Sequence, residues 1–134
     1  MNGRFPIAMH IMTLLCKADG LLSSDYMAGS INVNPALVRK ELSNLNKHQM
    51  VTSREGKNGG YSLSKPAREI SLASIYKAVK PNQVLGQAKN EPNPACPVGK
   101  QINEHLNGLD NEIEQTMMNK LGTTNLAEFC KKFN

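Results

Sequence analysis

A mainly α-helical fold with a small β-hairpin and a long C-terminal helix is predicted by three features of this 134-residue chain. Apolar residues recur every three or four positions through most of the sequence. Between Met50 and Leu63 that rhythm gives way to two short alternating runs around a glycine-rich tip. From Val98 to Leu121 one apolar stripe continues without a break.

The elements follow in order. Ile7, Ala8, Ile11, Leu14, Leu15 and Ala18 mark a first helix, with Pro6 suited to its first position and Asp19-Gly20 to its end. Ser23 or Ser24 caps a short second helix that turns Met27, Ala28 and Ile31 inward. Asn32-Val33-Asn34 makes a tight turn. Asn34 then caps, and Pro35 opens, a third helix carrying Leu37, Val38, Leu42 and Leu45 to about His48. Met50-Val51-Thr52 and Tyr61-Ser62-Leu63 alternate as strands, with Ser53 to Gly60 as the hairpin tip. Ser71 caps a fourth helix from Leu72 to about Val79, and residues 81–97, with four prolines, read as a loop. Val98, Ile102, Leu106, Leu109, Ile113, Met117 and Leu121 share one face of the long helix, with Gly122 as its C-cap. Thr123 or Thr124 opens a last short helix ending near Lys131. The chain thus divides into a compact unit over 1–80, a loop over 81–97, and the long and short helices over 98–134.

Charge is uneven along the chain. Sixteen Lys and Arg against eleven Asp and Glu give a net charge of +5. Residues 1–80 hold 11 basic and 5 acidic residues, and the remainder 5 and 6, so the excess points to an anionic partner for the first unit. With no Trp, three Tyr and three Phe, the chain is poor in the aromatic platforms on which single-strand binders stack bases. No apolar run approaches the roughly 18 residues that span a bilayer. Phe5–Cys16 is interrupted by Pro6 and His10 and lacks a signal cleavage site. Three well-separated cysteines argue against a disulfide framework. A cytoplasmic protein with reduced thiols and no membrane partner is expected.

Two short helices joined by a tight turn, then a hairpin, describe a winged helix-turn-helix. One helix fits the major groove of double-stranded DNA, while the hairpin tip reaches neighbouring phosphates or the minor groove. The expected DNA contacts on the third helix are Asn34, Ala36, Leu37, Arg39 and Lys40, with Asn44 as a further amide reader. Arg39 suits a bidentate contact to guanine. The wing offers Arg54, Lys57 and Asn58, and Gly59 and Gly60 would let the backbone approach phosphate closely. Glu41 is expected to face away from DNA, and Glu55 is a cost at the wing unless it orients Arg54.

The long stripe exceeds what an 80-residue unit covers easily. A second copy is its natural cover, which puts Ile102, Leu106, Leu109, Ile113 and Met117 in a homodimer interface; the alternative is a helix buried in its own chain. A two-fold dimer predicts an inverted-repeat operator.

Three segments carry a family resemblance: Arg4-Phe5-Pro6-Ile7-Ala8-Met9-His10-Ile11; Met50-Val51-Thr52-Ser53-Arg54-Glu55-Gly56-Lys57-Asn58-Gly59-Gly60-Tyr61-Ser62-Leu63; and Ile70-Ser71-Leu72-Ala73-Ser74-Ile75-Tyr76-Lys77-Ala78-Val79. Across nearly its whole length the chain resembles the Rrf-two family of bacterial winged-helix transcription regulators. The wing signature, with its glycine pair before Tyr61, is the most specific part and adds Tyr61 to the expected DNA-binding set. Many members have arginine directly before the first wing glycine. Here Glu55 holds that position and Arg54 precedes it, which moves the expected contact to Arg54. The resemblance also implies a homodimer in which the long helix crosses its partner's.

Cluster-binding members place three cysteines in the loop before the long helix. This chain has only Cys96 there, which puts it with the branch lacking the iron–sulfur motif, and no metal or other cofactor is expected. His10, His48 and His105 show no ligand spacing. Pro97 opens the long helix, so Cys96 falls at its N-cap, where free N–H groups and the helix dipole stabilise a thiolate, with Lys100 adding to the effect. Cys-Pro-Val-Gly also resembles members that sense oxidants or electrophiles by a thiol. Cys96 is therefore either a redox sensor or a small structural N-cap. Cys16 is expected in the core and Cys130 at the surface.

The function expected is a sequence-specific DNA-binding regulator, a repressor without enzymatic activity, switched by thiol oxidation, a small ligand or a cluster, in that order. The alternatives are a small thiol enzyme using Cys96 as nucleophile, a regulator answering a ligand without a thiol switch, and a helical adaptor for acidic proteins. The first needs a positioned base or resolving thiol that the sequence does not identify. The adaptor predicts no preference for operator over scrambled DNA.

Overall fold

Short side chains placed just ahead of apolar runs start most helices of the protein, whose computed structural model describes residues 3–134. Ser23 accepts from the Tyr26 N–H ahead of α2 (Ser24–Ile31), and Asn34 from the Ala36 N–H ahead of α3 (Pro35–Lys47). Ser71 and Asn125 do the same for α4 (Leu72–Val79) and α6 (Leu126–Cys130). Each cap satisfies an N–H that the helix itself cannot bond. Asn125, rather than Thr123 or Thr124, caps the last helix. The first helix, α1 (Arg4–Lys17), begins two residues earlier than expected, so Pro6 lies inside its first turn. Proline is tolerated there because no N–H of that turn has an intrahelical acceptor. The long helix α5 (Pro97–Gly122) ends on Thr123, in αR conformation, not on a glycine cap.

Strands β1 (Val51–Arg54) and β2 (Gly60–Leu63) pair antiparallel, with Val51 opposite Leu63 and Arg54 opposite Gly60. A third segment joins them. Leu22 and Tyr61 exchange backbone hydrogen bonds of 3.1 and 2.8 Å, so the hairpin is anchored to the link between α1 and α2.

One core gathers Ala8, Ile11, Met12 and Leu15 of α1, Met27 and Ala28 of α2, and Val38, Leu42 and Leu45 of α3 with Ile75 and Val79 of α4. Full burial of each large aliphatic side chain contributes roughly 1.5–3 kcal/mol. Leu126 and Cys130 of α6 belong to this same core. The Leu126 N–H donates to Ile70 O at 2.8 Å and the Leu72 N–H to Thr124 O at 3.0 Å. Of the two helices grouped over 98–134, α6 thus packs into the core of the first unit. Cys130, expected at the surface, is buried because α6 packs on α1.

Helix α5 is held differently. Its single buried residue is Asp110, whose carboxylate accepts the N–H groups of Val84 (3.1 Å) and Leu85 (2.8 Å). Gln83 reaches Asn107 at 3.1 Å and Lys80 pairs with Glu114 at 2.7 Å. Asn107, Asp110 and Glu114 thus form a polar seam that clasps the start of the 81–97 loop and the end of α4. The apolar stripe lies beside that seam, and Val98, Leu106 and Leu109 remain 68, 46 and 47% exposed.

Candidate nucleic-acid interface

The link from α2 to α3 is tight because Asn32 adopts the left-handed conformation (φ 63°) and its N–H bonds Ala28 O at 2.8 Å. Asparagine tolerates that region better than most residues. The N-cap bond from Ala36 N to Asn34 Oδ1, 2.8 Å, then sets the first turn of α3. Val38, Leu42 and Leu45 fill the core. Opposite them Ala36, Leu37, Arg39, Lys40, Ser43 and Lys47 are exposed. Ser43 was not among the expected contacts, although its spacing from Ala36, Arg39 and Lys40 puts it on their face. Among the described residues no carboxylate pairs with Arg39, Lys40 or Lys47.

The inner side of α3 carries a polar cluster. Glu41 is buried and receives two bonds from Arg4, Nε to Oε2 and Nη2 to Oε1, each 3.1 Å. The Glu41 carboxylate raises the Arg4 pKa above its ordinary value, chiefly through that hydrogen bond. Asn44 Nδ2 donates to Glu41 Oε1 at 3.1 Å and to Ala78 O at 2.9 Å. The amide expected to read DNA is therefore bonded inward, joining α1, α3 and α4. Glu41 faces away from the outer face, as expected. The signal missed for Asn44 was its offset of three residues from Glu41, which stacks the two side chains on one side of the helix.

At the wing, Arg54, Lys57 and Asn58 are exposed around the tip. Gly56 has φ 103° and its carbonyl accepts the Gly59 N–H at 3.0 Å. Glu55 forms no ion pair with Arg54, so it does not orient that side chain. The two glycines expected to meet phosphate meet the protein itself. A Cβ at Gly59 would collide with the Arg54 carbonyl oxygen, and one at Gly60 would lie 2.8 Å from Leu22 O. Their lack of a side chain serves the hairpin turn and its docking on Leu22. Tyr61 is half-buried against the core, with its backbone bonded to Leu22, rather than at the tip.

Cys96 is exposed at the N-cap of α5. Its side chain makes no capping hydrogen bond of regular geometry, yet the Gly99 and Val98 N–H groups face the sulfur and lower the thiol pKa. Gly99 is needed for the approach: a Cβ there would lie 2.5 Å from Asn93 O, the acceptor of the Cys96 N–H.

Comparison with known proteins agrees with this architecture. Residues 1–132 match the Rrf2 family model, described as an iron-dependent transcriptional regulator. YwnA of Bacillus subtilis, named as an HTH-type transcriptional regulator, is 38% identical over 128 residues, covering 96% of this chain and 95% of YwnA. A crystal structure described as a DNA-binding protein superposes with TM-score 0.75 at 36% identity, covering 94% of this chain and 97% of that one. CymR, the global cysteine regulator of B. subtilis, shares the fold with TM-score 0.73 at 21% identity, covering 100% and 98%. The iron of the family description finds no fitting donor set here. Cys96 stands alone before α5, and no three His, Cys, Asp or Glu side chains converge on a metal position among the described residues. Nor does any described helix have the length and apolarity to cross a membrane. These relatives are regulators rather than thiol enzymes, and the exposed cations of α3 and the wing have the chemistry that such regulators need: the chain belongs to the Rrf2 family of DNA-binding transcriptional regulators.

Proposed function

We propose that this regulator is a homodimeric repressor of an inverted-repeat operator, with occupancy altered by oxidation of Cys96. The observation that carries the reading is the two-sidedness of α3. Its inner polar groups are satisfied within the protein, while Arg39 and Lys40 stand outward with no carboxylate partner among the described residues. Arg39 reads a base, Lys40 and Lys57 meet phosphates, and Arg54 and Asn58 extend the contact from the wing. Asn34, Ala36, Leu37 and Ser43 complete the helix surface.

Homodimerisation is supported by the uncovered stripe of α5 and by an apolar trough beside it. Phe5, Pro6, Tyr76, Val84, Met117 and Leu121 line one part of that trough, about 640 Å³ in volume. A second copy covering Ile102, Leu106, Leu109, Ile113 and Met117 would place two copies of α3 for two half-sites. The redox reading rests on an exposed Cys96 whose lowered pKa increases the reactive thiolate at neutral pH.

A binding titration on the DNA upstream of the protein's own gene tests this, with reduced and mildly oxidised protein compared at fixed salt against scrambled competitor. Specific binding changed by oxidation, and unchanged in Cys96→Ser, is expected. Binding indifferent to oxidation would remove the switch and leave the regulator. Equal affinity for scrambled DNA would overturn operator reading.

A further inference from the structure

The fold brings together two cysteines from opposite ends of the chain. Cys16 lies in the last turn of α1 and Cys130 closes α6, and these helices pack against each other. Cys130 is buried and Cys16 half-buried. Cys16 packs against the core cluster to which Cys130 belongs, and the two thiols are near enough to influence each other. Lys17 Nζ donates to Phe133 O at 2.7 Å, which ties the last residues to the same turn of α1. Cys96 stands apart from this pair, at the far end of the 26-residue α5. Burial first, then the neighbouring Cys16 thiol, pushes Cys130 up to about 12.

We propose that Cys16 and Cys130 form a paired-thiol site that a two-electron oxidant, hydrogen peroxide or an organic peroxide, closes into an intramolecular disulfide. Cys16 is the more exposed sulfur and reacts first. Its thiolate attacks one oxygen of hydrogen peroxide and the O–O bond breaks. The departing hydroxide takes up the proton shed by Cys16 and leaves as water, and Cys16 becomes a sulfenic acid. The Cys130 sulfur then attacks the Cys16 sulfur. The S–S bond forms, the S–O bond breaks, and hydroxide leaves with the Cys130 proton as a second water. One peroxide is reduced to two waters as two thiols are oxidised. Only Thr123–Asn125 separate α6 from α5, so the bridge fastens the root of α5 to the winged core. Bond formation stands independently of the operator and Cys96 readings.

The test uses the full chain carrying Cys96→Ser, treated with limiting hydrogen peroxide, alkylated, and examined by intact mass and peptide mapping. Expected is a loss of two hydrogens with neither thiol alkylated. A linked peptide pair should contain Cys16 and Cys130, and dithiothreitol should reverse the change. On a non-reducing gel the protein should remain a single chain. Adding Cys130→Ser should leave a Cys16 sulfenic acid that dimedone traps. If that variant fails to fold, the Cys96→Ser protein, with both thiols intact, still decides. Two alkylated thiols after peroxide, Cys16 over-oxidised beside a free Cys130, or a bridge between chains would each overturn the proposal.

Discussion

Helices α3 and α5 carry similar apolar patterning and meet opposite fates. In its 13 residues α3 buries Val38, Leu42, Leu45 and a paired Glu41. In its 26 residues α5 buries only Asp110 and leaves Leu106 and Leu109 nearly half exposed. An apolar stripe states that a face needs cover but not which chain supplies it. Position in the fold settles that for α3, which has α1, α2 and α4 around it. For α5 the polar seam of Asn107, Asp110 and Glu114 occupies the side turned to its own chain.

The sharpest contrast is between Leu42→Ala and Leu106→Ala. The first should cost about 2–5 kcal/mol of unfolding free energy through lost burial and a cavity. The second should leave the isolated chain's stability nearly unchanged. Denaturant titrations at protein concentrations below dimerisation would measure both, and equal losses would erase the distinction. Leu106→Glu sharpens the comparison from the other side: where the proposed dimer forms in the parent, sedimentation should show the variant as a monomer while the far-ultraviolet spectrum of the core persists.

A smaller effect tests the inner face of α3. Glu41→Ala removes the shared acceptor of Arg4 and Asn44 and should cost about 2 kcal/mol, the scale of hydrogen bonds to a charged group. A variant as stable as the parent would show that the cluster is incidental. On the outer face, Arg39→Ala should leave folding intact and weaken operator binding by about 1–3 kcal/mol. Unchanged affinity would remove Arg39 from base reading. Lys57→Ala should weaken binding alike on all sequences and reduce the salt slope by about 1. A loss confined to one operator would contradict a phosphate contact.

The smallest effect at neutral pH belongs to Cys130. Its folded value, about 12, lies above the ordinary thiol value of 9.0. The folded state therefore keeps a proton that the unfolded chain loses first. The stabilising contribution is complete below pH 9.0 and is lost as pH rises toward about 12. Cys130→Ala should flatten that alkaline decline in thermal melts, and an unaltered slope would assign it elsewhere.

Much of the fold was legible because its signals are local. Ser23, Asn34 and Ser71 act as caps through atoms two or three residues away. The register around Lys57 follows from alternation and glycine placement within a dozen residues. The candidate surface was legible in part. Arg39, Lys40, Arg54, Lys57 and Asn58 are exposed where helical and hairpin periodicity put them. The contacts that hold Asn44, Gly60 and Tyr61 were not legible because their partners are distant in sequence: Ala78 for Asn44 and Leu22 for Gly60 and Tyr61.

By itself, then, the sequence determined where helices begin, where the chain turns and which faces are apolar or basic. These rest on backbone hydrogen bonding and side-chain periodicity over a few residues. Tertiary structure alone decided that α6 returns to the first core, that Glu41 is satisfied by Arg4, and that Cys16 meets Cys130. Such contacts depend on which distant surfaces exclude water together, and no short window of sequence contains both sides of that choice.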